Sequence, residues 1–302
     1  MAKNTAANKS ATTKGRSSAA SGPSPTVITW IAVGVVLAIA LVLVVVKVAG
    51  NSSTSKGQQN DAVFSFATPA VTGKLAAVPS SVFDTVGVNS SVSVNPPQVF
   101  SDKDSLSFTS NGKSLPGVFY DGANYCPYCA AERWGLIVAL NRFGSFTGLG
   151  NNSSSYLDTS GPNIATFTFE KATYSSKYIA FKAVEEATNM LDPKTGNWAK
   201  LQTRTAQESA VLQLFSANSY PFVSIGNKVV VLSAAFDPKT LSNLTREQIA
   251  ADLADPLSGI GQPIIATANY LSAGICHVDG EQPSTVCSSA GVLAAKSALG
   301  IQ

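Results

Sequence analysis

Cys126 and Cys129, three positions apart in the run Cys126-Pro127-Tyr128-Cys129, are the residues of this chain whose types and spacing best suit chemistry. Thiol–disulfide exchange needs a thiolate that can be reached and a second thiol placed to resolve the mixed disulfide. A helix N-terminus favours a thiolate, because its unpaired N–H groups and partial positive charge face the sulfur. Cys126 suits the cap position of such a helix. Pro127 suits its first turn, where a missing N–H costs little. Cys129 then sits one turn on, close enough to close a small ring with Cys126. Other chemistries stay open at this point. A zinc site needs two more ligands, which Cys276, His277 and Cys287 would have to supply. A structural disulfide at a strand–helix junction is the plainest alternative. Haem attachment requires a histidine directly after Cys129, and Ala130 stands there.

The flanking sequence supplies elements of the right kind. Leu115 to Tyr120 reads as a short buried strand, Asp121 to Tyr125 as a turn, and Pro127 to Phe143 as a helix stopped by Gly144. Residues 145–162 read as a Ser/Asn/Gly loop. Ile164 to Phe169 alternates as a strand does, and Lys177 to Val184 is a further strand candidate. Trp198 to Phe215 has the spacing of one long amphipathic helix. Pro221–Ile225 and Val229–Leu232 flank Gly226-Asn227-Lys228 as a hairpin. Helices are predicted over Thr245–Ala254, Gly261–Ile275 and about Val286–Leu299. From Asp61 to Gln98 an irregular lead-in with a strand or two is expected.

The run from Tyr120 through Cys126-Pro127-Tyr128-Cys129-Ala130-Ala131-Glu132-Arg133-Trp134 resembles the signature of a family of uncharacterised, membrane-anchored thioredoxin-like proteins of archaea and actinobacteria. The similarity extends through Ala139 to Gly144, Ser176-Lys177-Tyr178, Pro221-Phe222-Val223 with Gly226-Asn227-Lys228, and Ile275-Cys276 to Val286-Cys287, covering roughly residues 75–290. The resemblance implies a thioredoxin-like mixed sheet flanked by helices. It also implies a cis peptide bond at Tyr220-Pro221, with Pro221 and its strand aligning a substrate peptide beside the sulfur. Cys126 would be the nucleophile and Cys129 the resolving thiol, with Tyr128 tuning and shielding the pair. The sequence CPYC is also a glutaredoxin motif. A glutaredoxin is a compact cytosolic domain, however, and the extra segments of this chain count against a glutathione-linked role.

The other two cysteines, Cys276 and Cys287, are separated by ten residues between two predicted helices. A structural disulfide tying that corner is the simpler reading, worth roughly 3 kcal/mol for a loop of this length. A relay that exchanges with Cys129 is the sharper one. His277 is the sole histidine. Disulfide exchange needs no dedicated base, so a place at a helix end suits it better than a catalytic role.

Thr26 to Val46 is free of charge and long enough, at about 31 Å as a helix, to cross a bilayer. Lys3, Lys9, Lys14 and Arg16 precede it without any acid, which places the N-terminus in the cytoplasm and the remainder outside. A cleaved signal peptide would have a shorter apolar core. The expected organisation is a disordered basic tail (1–25), a transmembrane helix (26–48) and a linker (49–75). An extracytoplasmic α/β domain (76–302) follows, ending in a helical extension from about residue 256. Charged residues make up only 13% of the chain. With no basic stripe to neutralise phosphates, nucleic-acid binding is not expected. The expected partners are cysteine-containing envelope proteins as substrates and a membrane redox partner. No cofactor and no metal are called for.

Overall fold

The computed structural model describes residues 64–89 and 91–302. The basic tail, the apolar span and most of the linker expected from the sequence lie outside the described residues. Among the described residues no helix is long and apolar enough to cross a membrane.

A six-stranded mixed sheet is built around β3 (Lys113–Gly122), whose residues Val118 to Asp121 have no solvent exposure. The first half of β3 pairs antiparallel with β2 (Ser107–Ser110). Its second half runs parallel to β8 (Ala180–Glu185), with Gly117 opposite Ala180 and Gly122 opposite Glu185. On the other side β11 (Phe222–Ile225) is antiparallel to β3, with Phe222 opposite Asp121. The sheet continues through β12 (Val229–Val231) to β1 (Gln98–Val99). Parallel strands need a crossover, and α3 (Pro127–Leu140) lies on the path from β3 to β8.

Side chains alternate across β3, so it feeds two cores. Val118 and Tyr120 join the larger core with Trp134, Ile137 and Leu140 of α3. Phe119 joins a smaller one with Phe222, Val230 and the buried residues Val211 and Leu212 of α4 (Ala206–Leu214). Every residue of α3 except Tyr128 is buried. Its partner is α6 (Gly261–Asp279), buried from Gly261 to Cys276 apart from Gln262. The two helices approach so closely that a β-carbon at Gly135 would come to 2.5 Å of Thr267 Cγ2. The helical stretch expected as a C-terminal extension from about residue 256 is therefore a layer of the core.

The lead-in differs from expectation. Besides irregular chain, the Phe66 bridge and the start of β1 at Gln98, it carries two helices that were not expected, α1 (Pro69–Ala76) and α2 (Ser80–Val86). Pro69 opens α1 in the first turn, and Val71 and Leu75, four apart, bury one face. Phe66 bridges to Gly150. The folded unit thus takes in residues that composition assigns to the linker. Asn269 of α6 donates from Nδ2 to the carbonyls of Phe83 (2.9 Å) and Gly87 (3.1 Å). Asp84 Oδ1 accepts from the N–H of Gly291, in α8 (Ala290–Leu299), at 2.9 Å. These bonds fasten the first helices of the unit to its last.

Two further expectations fail for identifiable reasons. Trp198 to Phe215 is not one helix. Trp198–Lys200 forms β10, paired with β9 (Ala187–Leu191), and α4 begins only at Ala206. Thr205 fixes that start: its hydroxyl accepts from Glu208 N–H while the Glu208 carboxylate accepts from Thr205 N–H. The stretch 145–162 is not all loop either. It holds the end of β4 (Gly144–Thr147), paired with β7 (Thr173–Ser176), and β5 (Gly150–Ser153), paired with β6 (Ala165–Thr168). Its short polar strands have too little apolar alternation to stand out in the sequence.

Candidate functional site at the start of the central helix

β3 ends at Gly122 and delivers the chain into a turn held at several points. Asn124 N–H donates to Ala187 O (2.9 Å), Asn124 O accepts from Asn152 Nδ2 (2.9 Å), and Tyr125 O accepts from Ser155 N–H (2.8 Å). The Tyr125 ring stacks on Trp198 of β10, with centroids 4.5 Å apart and planes 8° from parallel. Cys126 then caps α3 in an extended conformation, and its Sγ accepts from Cys129 N–H at 3.3 Å. Pro127 takes the first helical position.

The two thiols are free and their environments differ. Cys126 is 7% exposed and Cys129 fully buried. The Cys129 side chain beside Cys126, helped by the Cys129 N–H and the Arg133 charge against the cost of burial, holds the Cys126 thiol below its ordinary range. Burial and the neighbouring Cys126 push Cys129 well above it. The thiolate form is thus the more favoured at Cys126, and the thiol form at the buried Cys129. Tyr128, between them, is 41% exposed and turned outward.

Behind the sulfurs lies a charged pair the sequence reading did not single out. Arg133 and Glu185 are both wholly buried and meet in two bonds, Nε to Oε1 at 3.0 Å and Nη2 to Oε2 at 2.5 Å. Nη2 also donates to Ala123 O at 2.9 Å, which ties the pair to the turn before Cys126. The Arg133 guanidinium lies 5.6 Å from the centre of the Tyr120 ring. Tyr120 Oη and Arg133 Nη1 are buried and find no hydrogen-bond partner among the described residues. In a chain so poor in charge, Glu132 and Arg133 side by side in a largely apolar helix were a signal that could have been read.

Tyr220-Pro221 is a cis peptide bond and leads into β11. Tyr220 Oη donates to Glu186 Oε2 at 2.6 Å, and the other oxygen of Glu186 pairs with Arg204. Arg204 Nε also lies 3.2 Å from Asp121 Oδ1. Burial, and then the nearby Glu186, push the Asp121 carboxyl up to about 8 despite Arg204. Glu186 N–H donates to Gly122 O at 2.8 Å. Tyr220 is therefore moored to the end of the same strand that delivers Cys126. A groove of about 440 Å³ beside it is lined by Tyr125, Trp198, Leu157, Leu191, Glu186 and Tyr220.

Cys276 and Cys287 are joined by a disulfide, with Cα atoms 5.5 Å apart. It links α6 to α7 (Ser284–Cys287), with both residues buried. The S–S bond leaves neither sulfur as a thiolate ligand. Among the described residues no group of three His, Cys, Asp or Glu side chains is placed to hold a metal ion. His277 lies in the last turn of α6, its Nδ1 3.0 Å from Gln302 O.

Residues 100–197 match the model of a family described as a domain of unknown function, DUF929. The matched stretch takes in both thiols, Arg133 and Glu185. No curated protein and no solved structure matches the chain.

Proposed function

We propose that this chain is a membrane-anchored, extracytoplasmic thiol–disulfide oxidoreductase with a thioredoxin-like fold. The observation that carries this reading is the contrast between the two thiols at one helix start. Cys126 caps the helix and is acidified, while Cys129 is buried and kept protonated. Cys126 attacks a substrate disulfide, or receives the attack when the pair is oxidised, and Cys129 closes or opens the Cys126–Cys129 bond. Support for the fold comes from the strand order β8–β3–β11–β12, with only β8 parallel to β3. Support for the anchor comes from the uncharged run Thr26 to Val46 behind its four cations. Substrates of this reading are cysteine-containing envelope proteins, met in an oxidising compartment with a membrane redox partner.

The deciding experiment is the equilibrium reduction potential of Cys126–Cys129 in the full chain, by thiol trapping in glutathione or dithiothreitol buffers, with Cys276–Cys287 followed separately. A value near about −120 to −200 mV marks an oxidant or isomerase, and one near about −270 mV a reductant. A pair locked below about −300 mV, or one that does not exchange, means the cysteines only brace the structure.

A further inference from the structure

Cys129 presents a difficulty that the exchange reading does not resolve. During each cycle its sulfur must carry negative charge, yet it lies in a fully buried place where charge is disfavoured. Around it are two groups with no evident structural use. Tyr120 Oη and Arg133 Nη1 are hydrogen-bond donors, both buried and both without a partner among the described residues. Leaving such groups unpaired is costly, and native proteins seldom do so without reason. A β-carbon on Gly122 would collide with Tyr120 Oη and lie 3.0 Å from Cys129 Sγ, so the hydroxyl and the sulfur border one point. Gly122 is what lets the two approach one point. The Arg133 charge acts on both sulfurs and on the Tyr120 ring. Glu185 holds Arg133 through Nε and Nη2, leaving Nη1 unused.

We infer that Tyr120 and Arg133 form a thiolate hole for Cys129, two donors fixed in advance where the buried sulfur becomes charged. The inference rests on the exchange reading and adds to it the residues that make the resolving step possible. In that step the Cys129 thiol gives up its proton to water, and the thiolate attacks Cys126 Sγ of the Cys126–substrate disulfide. The Cys126–Cys129 bond forms as the Cys126–substrate bond breaks, and the substrate sulfur leaves as a thiolate that takes a proton from water. In the opposite direction Cys129 is the leaving group, and the same donors receive it. Tyr120 serves as a donor and not as a base, since burial first of all keeps its hydroxyl protonated. The logic is that of an oxyanion hole, where donors oriented beforehand stabilise charge that exists only transiently.

The test separates the two sulfurs in time. Full-length chain with Cys126 and Cys129 reduced and Cys276–Cys287 intact is mixed with an equimolar amount of 5,5′-dithiobis(2-nitrobenzoic acid). Attack by Cys126 releases one thionitrobenzoate, and resolution by Cys129 releases the second. In Tyr120→Phe the first release should stay within about twofold of wild type, and the second should slow by about tenfold or more, the scale of one hydrogen bond to a charged group. The pH midpoint of the second step should rise. Thermal stability should hold or increase, because the hydroxyl removed has no partner. Arg133→Lys should also slow the second step; if that variant does not fold, Tyr120→Phe decides alone. A second release in Tyr120→Phe with the wild-type rate and pH profile overturns the thiolate hole and leaves the exchange reading intact. Wild-type chain that releases nothing, or stops after one equivalent, overturns the exchange reading itself.

Discussion

Arg133 and Glu185, 52 positions apart in the chain, face each other in a two-bonded ion pair that solvent does not reach. Glu185 Oε1 also accepts from Phe169 N–H at 3.1 Å, so the pair fastens α3, the end of β8 and the chain after β6 to one another. Taking one partner away strands a charge in a low-dielectric interior. Glu185→Ala should lower stability by about 3–5 kcal/mol in urea unfolding of the full chain. Replacing both residues by methionine should recover much of that loss. A loss under about 1 kcal/mol in the single variant would mean that water reaches Arg133 after all.

Asp121 makes stability depend on pH. Its carboxyl titrates at about 3.9 in an unfolded chain and is pushed up to about 8 in the fold, chiefly by burial. Between those values the folded state holds a proton that the unfolded chain has lost, so stability falls as pH rises from about 4 to about 8. Asp121→Asn removes this dependence. Its Tm should match wild type near pH 4 and exceed it near pH 8, at about 2–4 °C per kcal/mol for a domain of this size. Parallel melting curves for the two proteins across that range would contradict it.

Tyr220 should matter to peptide substrates and not to small ones. Its hydroxyl moors the residue before Pro221 to Glu186, and Glu186 is moored by its N–H to the end of β3. Tyr220→Phe cuts that tie, a hydrogen bond to a charged group. KM for a disulfide-bonded peptide should rise by about 3- to 10-fold, with little change in the rate for a small aromatic disulfide. Equal effects on both would place the role of Tyr220 in the chemistry of the sulfurs.

The Cys276–Cys287 disulfide closes a short loop between buried residues. Replacing both cysteines by alanine should cost about 3 kcal/mol of stability, while the Cys126 exchange rate stays at the wild-type level. Exchange that fails in this variant, under conditions where it remains folded, would point to an electron relay between the pairs.

Much of the site was legible in the sequence because its signals are local. A proline after Cys126 and an apolar run behind it define a helix start without knowledge of the rest of the chain. The hairpin around Gly226-Asn227-Lys228 was readable for the same reason, and β11 and β12 flank it as expected. What escaped is non-local. Arg133 stands in the run that carries the resemblance, but neither its pairing with Glu185 nor the place of Tyr120 near Cys129 can be read before the fold brings them together. Glu185 and Glu186, adjacent in the sequence, serve opposite faces of the sheet end: one meets Arg133, the other Arg204 and Tyr220. The error over Trp198 to Phe215 has a different origin. Helical spacing continued through a stretch that pairs with β9, and the capping box at Thr205 and Glu208 was the better guide to where the helix begins.

The bonds from Asn269 to Phe83 and Gly87, and from Gly291 to Asp84, bear on how the protein is made. A ribosome releases α2 about two hundred residues before it releases α8. Until Asn269 emerges the Phe83 and Gly87 carbonyls lack their eventual partner, and until Gly291 emerges the Asp84 carboxylate lacks its own. This layer of the protein cannot mature progressively behind the emerging chain; it must wait for residues beyond 290. A stop codon or proteolytic cut near residue 285 would therefore do its damage at the opposite end of the domain, loosening the helices that were synthesised first.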